Sequence, residues 1–180
     1  FDTTISESHY YEVIDRKRAT RLSAACETGS ILAGVTRAEQ RRVAEFGHQL
    51  GLAFQLKDDA LDYDSRAATL GKEPLADLRE GKVTLPLLLT LKRAASSEVE
   101  QITGLLKSVA AIDARTHPAP SPFDLQPVLD LVTRYHGVAD TLRRADEHVA
   151  RAGGAIAAFP DGPAKQALLS AAAFSVARDR

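Results

Sequence analysis

Nowhere in this 180-residue chain do β-branched residues alternate with polar ones over a length that would make a strand, while alanine and leucine recur at helical spacing throughout. The expected fold class is therefore all-α. The clearest start signal is the "TRAE" beginning at Thr36, where the threonine hydroxyl can accept a backbone N–H of the first turn while Glu39 reaches back, a capping box. The helix it opens is expected to run to about Tyr63.

Around that helix the punctuation sets the other elements. A helix is expected from Ser8 to Thr28, with Gly29 near its end and Tyr10, Ile14, Lys17, Arg21 and Ala25 close to one face. Residues 64–82 hold glycine, proline and many charges and are expected to form a loop. "TLPLLLTLKRAA" restarts a helix with Pro86 in its first turn, and Ser97 with Glu100 suggests a second capping box for a helix reaching about Ile112. After the proline-rich break at 116–124, helices are expected over Leu125–Tyr135, Val138–Arg151 and Ala164–Arg178, separated by Gly137, Gly153–Gly154 and "FPDGP". No internal repeat is visible.

Composition excludes several classes. A formal net charge of −1 shows no excess of lysine and arginine of the kind that marks nucleic-acid or anionic-membrane binding. Cys26 is the only cysteine, so no internal disulfide can form, and its alanine neighbours favour a small, inert core residue. The apolar runs fall short of the roughly 18–20 residues a membrane span needs, and no signal peptide is apparent, so no membrane span and a cytoplasmic location are expected. The chain begins with Phe1 and has no methionine, which suggests an N-terminus that is processed, cleaved or truncated.

Within the long helix, "FQLKDDALDY" places Gln55, Asp58, Asp59 and Asp62 along one stripe, with Asp58 and Asp62 one turn apart. Like charges at that spacing destabilise a helix by about 0.2–0.5 kcal/mol per pair, so a cation is called for. Mg²⁺ suits all-oxygen ligands and substrate phosphates, and three carboxylates without His or Cys argue against zinc. The alternative is a solvated acidic face beside Lys57, the commoner fate of a charge run. Phe54, Leu56 and Leu61 around the acids, and Gly47 and Gly51 before them, suggest instead a packed helix with one polar stripe. Lys17, Arg18, Lys72 and Lys82 are cations that could converge opposite such a face with a diphosphate between, although each alone reads as a surface residue. His9, His48, His117, His136 and His148 show no metal-ligand spacing and read as structural or surface residues.

Taken together, "GLAFQLKDDALDY", "LGK" and "DLREGKVTLPLLL" closely resemble the second half of the trans-isoprenyl diphosphate (polyprenyl) synthases. The resemblance extends from "YYEVIDRKRATRLSAACETGSILAG" to "FPDGPAKQALLSAAAFSVARDR", and is weakest over 113–124. The ending is similar to that of long-chain members making octaprenyl, solanesyl or decaprenyl chains for quinones such as ubiquinone. It implies a helical bundle of the isoprenoid-synthase type around a deep cavity, here without its N-terminal helices, with residues 1–180 as the C-terminal portion of one all-α domain. It also implies a Mg²⁺-dependent transfer of an allylic diphosphate's prenyl group to isopentenyl diphosphate, and a homodimer. By the same resemblance Asp58 is a direct metal ligand, Asp59 and Asp62 hold metal-bound water or contact the groups that ligate the metal, and Lys17, Gln55, Lys72 and Lys82 contact the allylic diphosphate.

The chain departs from the family pattern in three places. The usual Lys-Thr is Lys17–Arg18, exchanging a hydroxyl for a cation at Arg18, whose part in diphosphate binding is thereby put in question. The usual Gly-Asp-Asp is Leu75–Ala76–Asp77. The first aspartate-rich motif and the residues for isopentenyl diphosphate are absent, so the chain alone is expected to be inactive, needing an N-terminal half or a partner chain. Two other readings remain at this point: a non-catalytic partner subunit of a prenyl synthase, and a terpene cyclase relative, which fits "FQLKDDALDY" with "REGKVTLPL" less well.

Overall fold

The computed structural model describes residues 5–64, 75–113 and 124–177. In chain order these form α1 (Glu7–Ile14), a π-helical turn (Asp15–Ala19), α2 (Thr20–Leu32), α3 (Arg37–Leu61), α4 (Ala76–Arg79), α5 (Leu85–Leu91), α6 (Ser96–Asp113), α7 (Gln126–Arg134), α8 (Gly137–Ala155) and α9 (Pro163–Ala177). No strand occurs among the described residues, as the sequence pattern requires. No helix among them is long and apolar enough to cross a membrane.

The chain divides into two compact units: a central one, Phe1–Glu7 with Asp59–Asp140, and a terminal one, Ser8–Asp58 with Thr141–Arg180. In the terminal unit the core gathers around Phe46, Ala152, Ile156 and Ala172, with Cys26 partly buried against it. Burial raises the Cys26 thiol pKa, which keeps it protonated and agrees with an inert packing role. In the central unit α5 buries six of its seven residues, Leu85 to Thr90, and packs on α7, whose Val128, Leu131 and Val132 follow the i, i+3, i+4 spacing of an inward face.

Local chemistry explains most boundaries. Before α3, the Thr36 and Glu39 backbone N–H groups donate to each other's side chains at 2.8 and 3.3 Å, the reciprocal box the sequence calls for. Before α6 the same device sits two residues earlier than expected: the Ala95 N–H donates to Glu98 Oε2 at 3.0 Å, so Ser97 and Glu100 are not the capping pair. Gly29 lies inside α2, which ends at Leu32, and Gly34 just beyond it takes the positive φ of 70° that closes the helix. Gly153 and Gly154 likewise lie inside α8. Burial of Ala152 and Ile156 outweighs the glycine penalty, and Lys165 Nζ caps the carbonyls of Ala157 and Phe159 at 2.9 and 2.8 Å.

The expected single helix from Ser8 is interrupted. Across Asp15–Ala19 the Thr20 N–H donates to the Asp15 carbonyl, an i→i+5 bond that widens one turn. The buried positions before and after it are Ile14 and Ala19, a step of five rather than four, so the stripe through Lys17, Arg21 and Ala25 does not form as expected. Gly51 explains how the turn packs: a Cβ there would stand 2.5 Å from Ala19 Cα and 3.2 Å from the Arg18 carbonyl oxygen. His48, one turn earlier on α3, pairs through Nε2 with Asp15 Oδ1.

Gly137 plays a comparable part in the central unit, because a Cβ there would collide with the Pro86 carbonyl oxygen. Gly137→Ala should lower unfolding free energy by about 1–3 kcal/mol, as overpacking does. Gly104→Ala, in α6 with open space around it, should raise it by up to about 1 kcal/mol. Urea titration of the two variants checks both signs.

His148, expected to be structural or at the surface, is buried in the terminal unit, with Nδ1 2.5 Å from Gln49 Oε1 and its ring tilted against Tyr11. Burial first, then nearby Arg151, lowers its pKa from 6.5 to about 4. The folded state then refuses a proton that the unfolded chain accepts. Stability is complete above pH 6.5 and falls as pH drops toward 4, by at most about 1.4 kcal/mol per pH unit. Unfolding measured at pH 7 and pH 5 should show a smaller loss in His148→Gln than in the parent.

Candidate functional site

In the terminal unit, the widened turn and α3 bring three of the sequence-selected residues into one neighbourhood. Lys17 and Arg18 line a cavity of about 670 Å³ together with Arg21, whose apolar walls include Leu22, Leu50, Phe54 and Phe174. Arg18 lies with its guanidinium carbon 4.5 Å from the Phe54 ring centroid, and its Nη1 is 3.1 Å from Asp58 Oδ2. Both partners of that ion pair keep about a third of their side chains exposed, 34% and 31%. Gln55, on the same helix as Asp58, is buried.

The solvated-face alternative does not survive this burial: Gln55 and Lys57 are 5% and 8% exposed, and Asp59 is 2% exposed. An acidic stretch on an open face would leave such groups in water.

In the central unit the remaining acids have different partners. α3 ends at Leu61, two residues short of Tyr63, so Asp62 follows the helix, where its carboxylate accepts the N–H groups of Ala76 and Asp77 at 2.9 and 3.1 Å. The Leu75 N–H also donates to the Asp62 carbonyl at 2.8 Å. Burial, followed by the Asp77 charge, raises the Asp62 pKa, although the two N–H donors pull it down. The stretch expected as loop thus contains α4, with its start tied to Asp62.

Leu75, where the resemblance places glycine, sits in the left-handed region at φ 61° and is 1% exposed. The backbone strain of about 1–2 kcal/mol is offset by burying a leucine side chain, worth about 1.5–3 kcal/mol.

Lys82 is paired with Asp77 at 3.0 Å and Glu80 at 2.5 Å, and Glu80, then Asp77, pushes its pKa up. Its charge is balanced locally. Lys72 lies outside the described residues, as does most of the proline-rich segment. Among the described residues no three His, Cys, Asp or Glu side chains gather into a metal-ligand group. The donors at Asp58, Asp59 and Asp62 are hard carboxylate oxygens, which match Mg²⁺ or Ca²⁺ by chemistry.

Sequence reasoning missed Arg21 as a cavity residue, the Asp15–His48 pair and the Arg18–Phe54 stack. The signal was present in part: His48, Gly51, Gln55 and Asp58 step by three, four and three along α3, one continuous face. What hid the partners was the π turn, which no periodicity argument anticipates.

The all-α fold is shared with solved prenyl synthases. The polyprenyl synthase from Caulobacter crescentus CB15, solved complexed with calcium and isoprenyl diphosphate, superposes with TM-score 0.83 at 37% identity, over 99% of this chain and 52% of that one. Decaprenyl diphosphate synthase from Rhodobacter capsulatus gives 0.82 at 31% identity, over 99% and 52%. The octaprenyl diphosphate synthase of Escherichia coli (strain K12) is 35% identical over 179 residues, 99% of this chain and 52% of that protein. The family model described as polyprenyl synthetase matches residues 1–116, and the chain belongs to that family. It spans about half the length of the curated relatives it matches.

The two outer acids of the motif differ in what they hold. Asp62→Ala removes the acceptor of two backbone N–H groups and should cost about 1–3 kcal/mol of stability. Asp58→Ala breaks a part-exposed ion pair, worth about 0–1 kcal/mol. Thermal unfolding of the two variants side by side checks the order.

Proposed function

We propose that residues 1–180 form the C-terminal portion of a single all-α polyprenyl synthase domain, and that the whole protein is a Mg²⁺-dependent prenyltransferase making a long-chain trans-polyprenyl diphosphate. The observation that carries this reading is the cavity: Lys17, Arg18 and Arg21 beside a largely apolar wall, with Asp58 paired to Arg18 at 3.1 Å. Such a wall suits a ligand with a diphosphate head and a hydrocarbon tail. Similarity to long-chain synthases over nearly the whole chain supports the product class.

Asp58 is the direct ligand in this reading, with Asp59 and Asp62 acting through metal-bound water. A divalent ion held there supplies Lewis-acid charge to the phosphate oxygens. Lys17, Lys72, Lys82 and Gln55 bind the allylic diphosphate, and fixed cations stabilise the negative charge that collects on it as the carbon–oxygen bond breaks. Phe54, Leu22 and Leu50 present hydrocarbon to the cavity and keep water from that side. Isopentenyl diphosphate is the acceptor, and loss of a proton leaves a chain one isoprene unit longer.

A second reading, a non-catalytic partner subunit, is favoured by one observation: a guanidinium engages Asp58 where the family pattern has a hydroxyl. Coding sequence upstream of Phe1 separates the two, since a catalytic protein carries a second Asp-Asp-x-x-Asp there. In the intact enzyme, Asp58→Ala should reduce turnover of isopentenyl with farnesyl diphosphate by about 100-fold or more, the scale of losing one electrostatic stabiliser, with the melting temperature little changed. Undiminished turnover at limiting Mg²⁺ would contradict the assignment.

A further inference from the structure

The Arg18–Asp58 pair is more than a chance surface contact, because four separate features hold Arg18 in place. The π turn advances the chain by one residue between Ile14 and Ala19. Asp15, which opens the turn, pairs with His48 of α3. Gly51 admits the turn's backbone against the same helix. The guanidinium then lies over the Phe54 ring, 4.5 Å from its centroid, which restricts it further. His48, Gly51, Phe54 and Asp58 belong to one side of α3 and all contact residues 15–19.

We infer that Arg18 is a built-in counter-ion for Asp58, competing with a divalent cation for that carboxylate and so setting a higher cation concentration for metal binding. This rests on the reading of Asp58 as a metal ligand.

The electrostatic argument is direct. A carboxylate beside a guanidinium has part of its attraction for a second cation cancelled, and Lys17 and Arg21 on the same cavity wall add repulsion of the same sign. A free diphosphate would shift the balance, since the guanidinium prefers a bidentate phosphate partner to a part-exposed carboxylate. Anion and metal would then bind cooperatively, each relieving the obstacle to the other.

The test is a Mn²⁺ titration of the 180-residue chain, followed by paramagnetic broadening of the amides of residues 55–62. The parent, Arg18→Gln, Arg18→Lys, Asp58→Asn and Arg18→Gln/Asp58→Asn are compared, with circular dichroism to confirm that each is folded. Arg18→Gln removes the charge and should tighten binding about two- to fivefold, the fold-change that corresponds to a part-exposed ion pair. Arg18→Lys keeps the charge and should stay nearer the parent. Equal affinity in the parent and Arg18→Gln, with Asp58→Asn weakening both, overturns the counter-ion role while leaving Asp58 as a ligand. Broadening indifferent to Asp58→Asn in both backgrounds overturns the metal reading and the inference with it.

Discussion

The close approach of the π turn to α3 is the contact on which the candidate site depends. It exists because Gly51 has no Cβ: at 2.5 Å from Ala19 Cα, a methyl group would force the two backbones apart. The His48–Asp15 pair and the Phe54–Arg18 stack lie to either side of that contact along α3. Together they convert a run of basic residues, "RKRA", into a fixed arrangement in which Lys17 and Arg18 face a cavity and Arg18 reaches Asp58. A regular α-helix through the same residues would turn each following side chain by about 100°.

The three motif aspartates show how one sequence pattern divides into unlike environments. Asp58 stays part-exposed beside a guanidinium, Asp59 is buried, and Asp62 has become the acceptor that anchors the start of α4. Carboxylates are chemically identical in the sequence, and only their surroundings leave one part-exposed beside a guanidinium and make another a structural clasp. The same holds for the cations. Lys82 is neutralised by Asp77 and Glu80 close by in the chain, whereas Lys17, Arg18 and Arg21 line a cavity with Leu22, Leu50, Phe54 and Phe174.

Departures from the family pattern also become physical statements. Leucine at position 75 adopts the left-handed backbone that glycine adopts freely, and burial of the side chain offsets the strain. Arginine in place of threonine at position 18 introduces a cation that the fold directs at Asp58, the aspartate most open to solvent among the two whose exposure contrasts most sharply, Asp58 and Asp59.

The helical class, the Thr36–Glu39 cap and membership of the polyprenyl synthetase family were all legible in the order of residues. Each depends on local spacing or on a contiguous motif, and both are present in one dimension. The sequence could not reveal the π turn, the buried neutral state of His148, the continuation of α8 through Gly153–Gly154, or the guanidinium that engages Asp58. These follow from contacts between residues distant in the chain: Ala19 with Gly51, His148 with Gln49, Ala152 and Ile156 with Phe46. Spacing can say which side chains share a face, but which group meets that face, and so which charges are balanced, is decided only when the helices pack.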